Sequence, residues 1–137
     1  MTYLLDTNTV SDLMKGDAAV VARLAATDRA AVRVPQPVLA EIAFGLARLP
    51  HSRRRTALQA RFDLVISEIA RADWTDAVSE AYGRIQAVLE KRGQRIEDFD
   101  AAIAAHALAV DGTLVTANTR HFLRVPDLHV EDWRGPV

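Results

Sequence analysis

Four side chains that carry oxygen ligands stand in separate segments of the chain. Asp6 follows the first apolar run, and Asn118 follows a later one. Asp100 stands at the start of a helical segment, and Glu41 stands among apolar neighbours within another. Carboxylates that converge repel one another unless a cation lies between them, and oxygen ligands suit Mg²⁺ or Mn²⁺. We therefore predict that Asp6, Glu41 and Asp100 bind a divalent metal ion beside Asn118.

A metal ion in such a site would support hydrolysis. It lowers the pKa of a bound water, which can then attack a phosphodiester. The chain has no cysteine, which excludes thiolate zinc sites, and its four histidines show no metal-binding spacing. The pattern therefore indicates phosphodiester hydrolysis with an oxygen-liganded cation.

Each of these residues also has a purely structural interpretation. Aspartate is common at helix N-caps, so each of Asp6, Asp98 and Asp100 could simply be a cap. Glu41 could be an exposed helix residue, and Asn118 could be an ordinary turn residue. The prediction of a metal site depends on Asp6, Glu41, Asp100 and Asn118 taken together, because they lie in different elements that one edge of a sheet could bring together.

Strands and helices alternate along the sequence. Short β-prone runs predict strands, and helical spacing bounded by Gly, Pro or capping residues predicts helices. This alternation indicates a single three-layer α/β/α domain with a mostly parallel central sheet. Ligands in such sheets bind beyond the carboxyl ends of the strands, where the strand order reverses, and Asp6 stands at such an end. The predicted strands are 2–5, 31–34, 65–69, 113–116 and 128–131, and the predicted helices are one that ends at 15, one that begins at 17, and 37–48, 52–65, 75–91 and 98–110.

The composition is typical of one globular domain. The chain has 137 residues, of which 50% are hydrophobic and 26% are charged, so we expect one domain over residues 1–137. No apolar stretch is long enough to span a bilayer, and the N-terminus lacks the features of a signal peptide. We therefore expect a cytoplasmic protein without membrane contact, and the absence of cysteine fits a reducing compartment.

Arginine carries almost all of the positive charge. Fifteen of the 17 basic residues are Arg, although the net charge is −1. High genomic GC content also explains this overall bias. The local cluster Arg53, Arg54 and Arg55 could follow a phosphate backbone, and the alternative is that it forms a solvated helix face.

Four short motifs occur in a fixed order along the chain. They are Leu-Asp-Thr-Asn at 5–8, Leu-Ala-Glu-Ile at 39–42 followed by Gly45, Asp-Ala-Ala-Ile-Ala-Ala at 100–105, and Leu-Val-Thr-Ala-Asn at 114–118 followed by Phe122. In these motifs, and over nearly its whole length, the sequence resembles the PIN-domain family. It is most similar to VapC-type toxins of bacterial toxin–antitoxin pairs, in the subgroup similar to FitB. The resemblance implies a Mg²⁺- or Mn²⁺-dependent endoribonuclease. In such an enzyme the cluster Arg53–Arg55 could contact RNA.

The resemblance also implies roles for individual residues. Asp6, Glu41 and Asp100 match the acidic metal site of the family, and Thr7 and Thr116 match residues around it.

This chain departs from the family at one point. Relatives often place a fourth acid at the position of Asn118 or His121, and this chain has an acid at neither. Asn118 would then act as a neutral oxygen ligand or position a water, and Asp98 is a secondary candidate ligand. The departure leaves open a second function, that of an inactive PIN-like domain that binds RNA or a protein.

The resemblance implies protein partners as well. It predicts a homodimer, a tight complex with a cognate VapB-type antitoxin, and a higher assembly of the two. The antitoxin segment would lie over the apolar helix faces of residues 9–48 and insert a basic residue among the carboxylates. The alternative is that these faces are simply core.

Phosphoryl-aspartate chemistry is a rival function for Asp6, because phosphorylated aspartates also follow a first strand in some phosphatases and receiver domains. Those sites need a lysine at the end of a later strand. Lys15 and Lys91 both lie in other elements, and the chain has no glycine-rich phosphate loop. We therefore prefer the metal-dependent nuclease.

Overall fold

The computed structural model describes residues 1–135, and its centre is a five-stranded sheet. The strands are β1 (Tyr3–Leu5), β2 (Val32–Pro35), β3 (Ala70–Ala72), β4 (Thr113–Val115) and β5 (His129–Glu131), in the spatial order β3-β2-β1-β4-β5. All neighbouring strands are parallel. The helices are α1 (Thr7–Lys15), α2 (Ala18–Ala25), α3 (Gln36–Ala47), α4 (Arg53–Glu68), α5 (Asp76–Lys91), α6 (Asp98–Ala109) and α7 (Thr119–Phe122), with a 3-10 turn at Arg29–Ala31.

Helices cover both faces of the sheet. Leu4 and Leu5 of β1 are fully buried, and so are Leu114 and Val115 of β4. Since consecutive strand residues point to opposite faces, this burial requires packing on both sides. Helix α6 lies in the interior as well, because every residue from 101 to 107 is buried. The prediction of a three-layer α/β domain is confirmed, and the sheet is wholly rather than mostly parallel.

The strand order reverses between β1 and β4. The main-chain N–H of Asp6 donates to the carbonyl oxygen of Val115 at 3.1 Å, so the carboxyl ends of these two strands lie side by side. Asp6 follows one of them and Thr116 follows the other. This is the position at which open α/β sheets bind ligands.

One local prediction was wrong. Residues 65–68 of the strand predicted at 65–69 are instead the last turn of α4, and the strand β3 is Ala70–Ala72. Phe62, Val65 and Ile66 lie on α4 and pack against the core, and Ile69 follows as the C-cap of this helix. Asn118, for which an ordinary turn position was the alternative, is the N-cap of the short helix α7.

The C-terminal segment is anchored to the rest of the domain. The buried Trp133 packs against Tyr3 with ring centroids 5.7 Å apart, and its indole N–H donates to Glu131 at 3.0 Å. Glu131 in turn pairs with Arg23 of α2. The domain thus extends at least to Trp133, while residues 136–137 of the predicted span lie outside the described part. No helix of the described part is long and apolar enough to cross a membrane.

Candidate active site

A cavity of about 180 Å³ lies at the carboxyl ends of β1 and β4. It brings together four of the residues predicted from the sequence, namely Asp6, Glu41, Asp100 and Asn118, and it also includes the secondary candidate Thr7. These side chains come from segments that are distant in sequence. The full lining is Asp6, Thr7, Asn8, Glu41, Asp100, Ile103, Asn118 and Phe122.

Asp6 is the most deeply buried of the carboxylates, with 4% of its surface exposed. It is the N-cap of α1, and its Oδ1 accepts from the main-chain N–H of Thr9 at 2.8 Å. Burial raises the pKa of the Asp6 carboxyl, hydrogen bonds from Thr116 and Thr9 oppose this rise, and the negative charge of Asp100 adds to it. Asp6 is therefore a helix cap that also lies in the cavity with Glu41 and Asp100.

Glu41 lies on an apolar helix and depends on a neighbouring helix for its partner. Pro35 and Pro37 fix the start of α3, whose residues Val38, Ile42 and Leu46 face the core. This packing leaves the Glu41 carboxylate half-buried, and its Oε1 accepts from the Thr7 hydroxyl at 2.6 Å. The sequence places Glu41 among apolar neighbours, and in the structure the Thr7 hydroxyl is its hydrogen-bond donor.

Asp100 stands in the first turn of α6. Its Oδ2 lies 3.1 Å from Nε2 of His121, on the short helix α7. His121 was not among the residues predicted for the site. The one available signal was its position three residues beyond Asn118, where the family resemblance implied that an acid could stand.

Thr116 and Asn118 shape the turn after β4. Thr116 is fully buried, and its hydroxyl oxygen accepts from the main-chain N–H of Asn118 at 3.0 Å while its side chain also hydrogen-bonds Asp6. This arrangement leaves the Asn118 side chain exposed at the rim of the cavity. Both residues therefore lie at the edge of the sheet that carries Asp6.

Asp98 does not join the carboxylates, contrary to its prediction as a secondary candidate. Its side chain is 76% exposed and lies 3.8 Å from the guanidinium of Arg95. It also accepts a hydrogen bond of 2.9 Å from Gln86 of α5. Asp98 and Asp100 lie two positions apart on a helix, so they point in different directions.

The arginine cluster forms the first turn of α4, after the N-cap Ser52. Arg53 and Arg54 are exposed, whereas Arg55 is half-buried and donates to the carbonyl oxygen of Leu49 at 3.2 Å. The side chains that line the carboxylate cavity, all within residues 1–135, do not include these arginines.

The side chains of the cavity fit a hard divalent cation by their chemistry. The potential ligands Asp6, Glu41, Asp100 and Asn118 offer oxygen atoms, which suit Mg²⁺ and Mn²⁺. Within residues 1–135, no three acidic or histidine side chains are already drawn around one point. Each of the three carboxylates has a hydrogen-bond partner in the protein at 2.6–3.1 Å.

The fold and the site define a known class of protein. Residues 3–128 match the PIN-domain model, and the chain belongs to the PIN-domain family. A tRNA(fMet)-specific endonuclease VapC from Shigella flexneri is 30% identical over 133 residues, which cover 97% of this chain and 98% of the relative.

Solved structures show the same relationship. A chain in the crystal structure of VapBC2 from Rickettsia felis bound to a promoter DNA fragment superposes with a TM-score of 0.87 at 29% identity, covering 97% of this chain and 99% of that one. FitAcB from Neisseria gonorrhoeae contains a chain with a TM-score of 0.80 at 26% identity, covering 96% and 98%. The predicted resemblance to VapC-type toxins of the FitB-like subgroup is confirmed.

Proposed function

We propose that this chain is a divalent-metal-dependent endoribonuclease and the toxin of a VapBC-type toxin–antitoxin pair. The observation that carries the proposal is the shared cavity of Asp6, Glu41 and Asp100, which come from three distant segments. Gathering three carboxylates costs free energy through repulsion and burial, and a bound cation offsets that cost. The relatives named as VapC nucleases support RNA as the substrate.

Mg²⁺ or Mn²⁺ bound by these carboxylates would activate a water and offset negative charge on the phosphate. The chain's own residues orient the ligands. The hydroxyl of Thr7 fixes Glu41, and the Thr9 N–H and the Thr116 side chain fix Asp6. Asn118 at the rim offers a neutral amide that can hydrogen-bond a water or a phosphate oxygen.

Purified protein and RNA test this activity. We expect cleavage of RNA in Mg²⁺ or Mn²⁺, loss of cleavage with EDTA, and a loss of at least about 100-fold in Asp100→Asn. Asp98→Asn is the matched control, because it makes the same change two positions earlier on α6 but outside the cavity. Because the Shigella relative is named for tRNA(fMet), tRNA is the first substrate to test.

The same assay separates the enzyme from an inactive RNA-binding domain. A binder would retain RNA in EDTA and after Asp100→Asn, and it would release no shorter products. Cleavage that persists in Asp100→Asn, or equal loss in Asp98→Asn, would contradict the proposed site.

We place the antitoxin on a groove beside the carboxylates. This groove has a volume of about 250 Å³, is mostly apolar, and shares Thr7 and Glu41 with the site. Its other lining residues, from α1, α3, α4 and the segment after α3, are Ser11, Met14, Lys15, Ile42, Gly45, Leu46, Leu49 and Leu58. An amphipathic segment bound there would reach the carboxylates with a basic side chain, which could replace the metal ion.

Gly45 offers a test of this placement, because a side chain added there enters open space within the groove. Gly45→Leu is expected to weaken antitoxin binding by at least about tenfold and to preserve metal-dependent cleavage. Gly83→Leu on α5 is the matched control, since its added side chain also meets open space but lies outside the groove. Unchanged affinity in Gly45→Leu would exclude this groove.

Further features extend the proposal to self-association, RNA contact and location. Exposed Phe44 and Phe99 support a homodimer, which antitoxin binding would build into a higher assembly.

Exposed Arg53 and Arg54, together with Arg55, would contact RNA phosphates, so replacing them should reduce the salt dependence of RNA binding. We also propose that the domain spans residues 1–137 and that the protein works in the cytoplasm.

A further inference from the structure

His121 was not predicted to bind the metal ion, but it contacts the predicted metal ligand Asp100. Its Nε2 lies 3.1 Å from Oδ2 of Asp100, and the side chains are only 22% and 30% exposed. An ionised carboxylate has no hydrogen to give, so Nε2 carries the hydrogen and Asp100 accepts. The contact joins α7 to the first turn of α6.

The imidazole ring of His121 is itself held in place. It packs edge-on against Phe122, with ring centroids 5.2 Å apart and planes at 79°. Phe122 is buried and lines the carboxylate cavity. A side chain fixed in this way has little rotamer freedom left to lose, so its hydrogen bond can orient Asp100 at low entropic cost.

The hydrogen bond to Asp100 completes a pattern shared by all three carboxylates. Asp6 Oδ1 accepts from the Thr9 N–H at 2.8 Å, and Glu41 Oε1 accepts from the Thr7 hydroxyl at 2.6 Å. Each carboxylate therefore has at least one oxygen engaged by the protein. A carboxylate oxygen that already accepts a protein hydrogen bond is less available to a second metal ion, so this pattern favours one bound ion over a pair.

We propose that His121 is a positioning residue that holds Asp100 Oδ2 and directs the other Asp100 oxygen to a single divalent cation. The proposal rests on the function proposed above. It gives His121 a role that needs no contact with the metal or the RNA. Partners that orient a metal ligand typically contribute 10- to 100-fold to metal affinity.

Calorimetric titration of the purified full-length chain with Mn²⁺ tests the proposal without reference to cleavage. We expect about one Mn²⁺ per wild-type chain and an affinity weakened about 10- to 100-fold in His121→Ala. His121→Gln, whose amide N–H can still donate, should recover most of that loss. His121→Asp replaces the donor with a fourth carboxylate and should add a second Mn²⁺-binding event.

His129→Ala is the matched control, because His129 is exposed and begins β5, at the end of the sheet opposite the cavity. Thermal unfolding in EDTA checks that each variant is folded. The role proposed for His121 would be overturned if His121→Ala bound Mn²⁺ as tightly as wild type or more tightly, or if the wild-type chain bound two equivalent ions. Each of these results would leave the metal-dependent nuclease standing. If the wild-type chain binds no Mn²⁺, both this proposal and the metal-dependent nuclease fail.

Discussion

The hydroxyl of Thr7 donates to Oε1 of Glu41 across 2.6 Å, and this contact ties the first turn of α1 to the middle of α3. Thr7 also directly follows Asp6, the N-cap of the same helix. One helix start thus supplies a carboxylate to the site and a donor to the second carboxylate. The geometry of Glu41 consequently depends on a residue outside the set of predicted metal ligands.

Replacing Thr7 with the isosteric Val should remove the hydrogen bond that orients Glu41 and leave the stability of the fold nearly unchanged. We expect Mn²⁺ affinity and RNA cleavage to fall about 10- to 100-fold, while the free energy of unfolding changes by about 1 kcal/mol or less. Thr7→Ser keeps the hydroxyl and should remain close to wild type. Equal activity of the Val and Ser variants would show that this hydroxyl does not position Glu41.

Asp6→Asn should abolish cleavage and yet stabilise the metal-free protein at pH 7. Burial raises the pKa of Asp6, so its charged form costs folding free energy above that pKa. Asn keeps the N-cap acceptor without the charge, and the midpoint of thermal unfolding in EDTA should rise by a few degrees.

The advantage of Asp6→Asn should shrink as the pH falls through the raised pKa. It should vanish below the ordinary value of 3.8, where Asp6 is protonated in both the folded and the unfolded state. A midpoint below that of wild type at pH 7 would contradict this account of the buried charge.

His106 should make the fold sensitive to mild acid. It is almost fully buried on α6, its Nδ1 bonds the carbonyl oxygen of Ala102 at 2.8 Å, and its Nε2 has no partner among the described residues. Burial lowers the pKa of His106 from 6.5, so between the lowered value and 6.5 this residue is protonated in the unfolded chain but not in the folded one. Stability is therefore complete above pH 6.5 and is lost as the pH falls toward the lowered value.

Urea unfolding between pH 5 and pH 7 measures this loss. In His106→Leu, the dependence of the unfolding free energy on pH should be smaller by up to about 1.4 kcal/mol per pH unit. His129→Leu changes an exposed histidine and should keep the wild-type dependence. Parallel curves for wild type and His106→Leu would exclude His106 as the source.

Two glycine-to-alanine substitutions should have opposite effects on stability. A Cβ at Gly112 would lie 2.8 Å from both the Leu4 side chain and the Thr2 carbonyl oxygen, beside the central strands. Gly112→Ala should therefore lower the free energy of unfolding by about 1–3 kcal/mol. At Gly83, within α5, the added Cβ meets open space, and Gly83→Ala should raise it by about 0.5–1 kcal/mol. Chemical denaturation compares the two, and a stabilised Gly112→Ala would contradict the close packing.

The acidic residues could be predicted from sequence because each leaves a local signal. Asp6 ends an apolar run, and Glu41 sits on a helix turn with almost no other polar side chain. The parallel sheet follows from the alternation of elements, and its topology then places these signals at one edge.

The parts that could not be predicted depend on tertiary packing. Local pattern does not show that β-prone Val65 and Ile66 extend a helix onto the core, or that α7 turns His121 toward Asp100. The orientation of Asp98 depends likewise on Gln86 and Arg95, which attract it away from the cavity. Such contacts join distant residues and leave no periodic signal in the chain.

The central claim is that Asp6, Glu41 and Asp100 close around a divalent cation. Anomalous diffraction at the manganese absorption edge, from crystals grown with Mn²⁺, tests it most directly. The account predicts an anomalous peak in the cavity, with carboxylate oxygens of all three residues about 2.0–2.3 Å from it. A manganese peak at another position, or no peak in the cavity at a Mn²⁺ concentration that supports RNA cleavage, would contradict the claim that these three residues bind the cation.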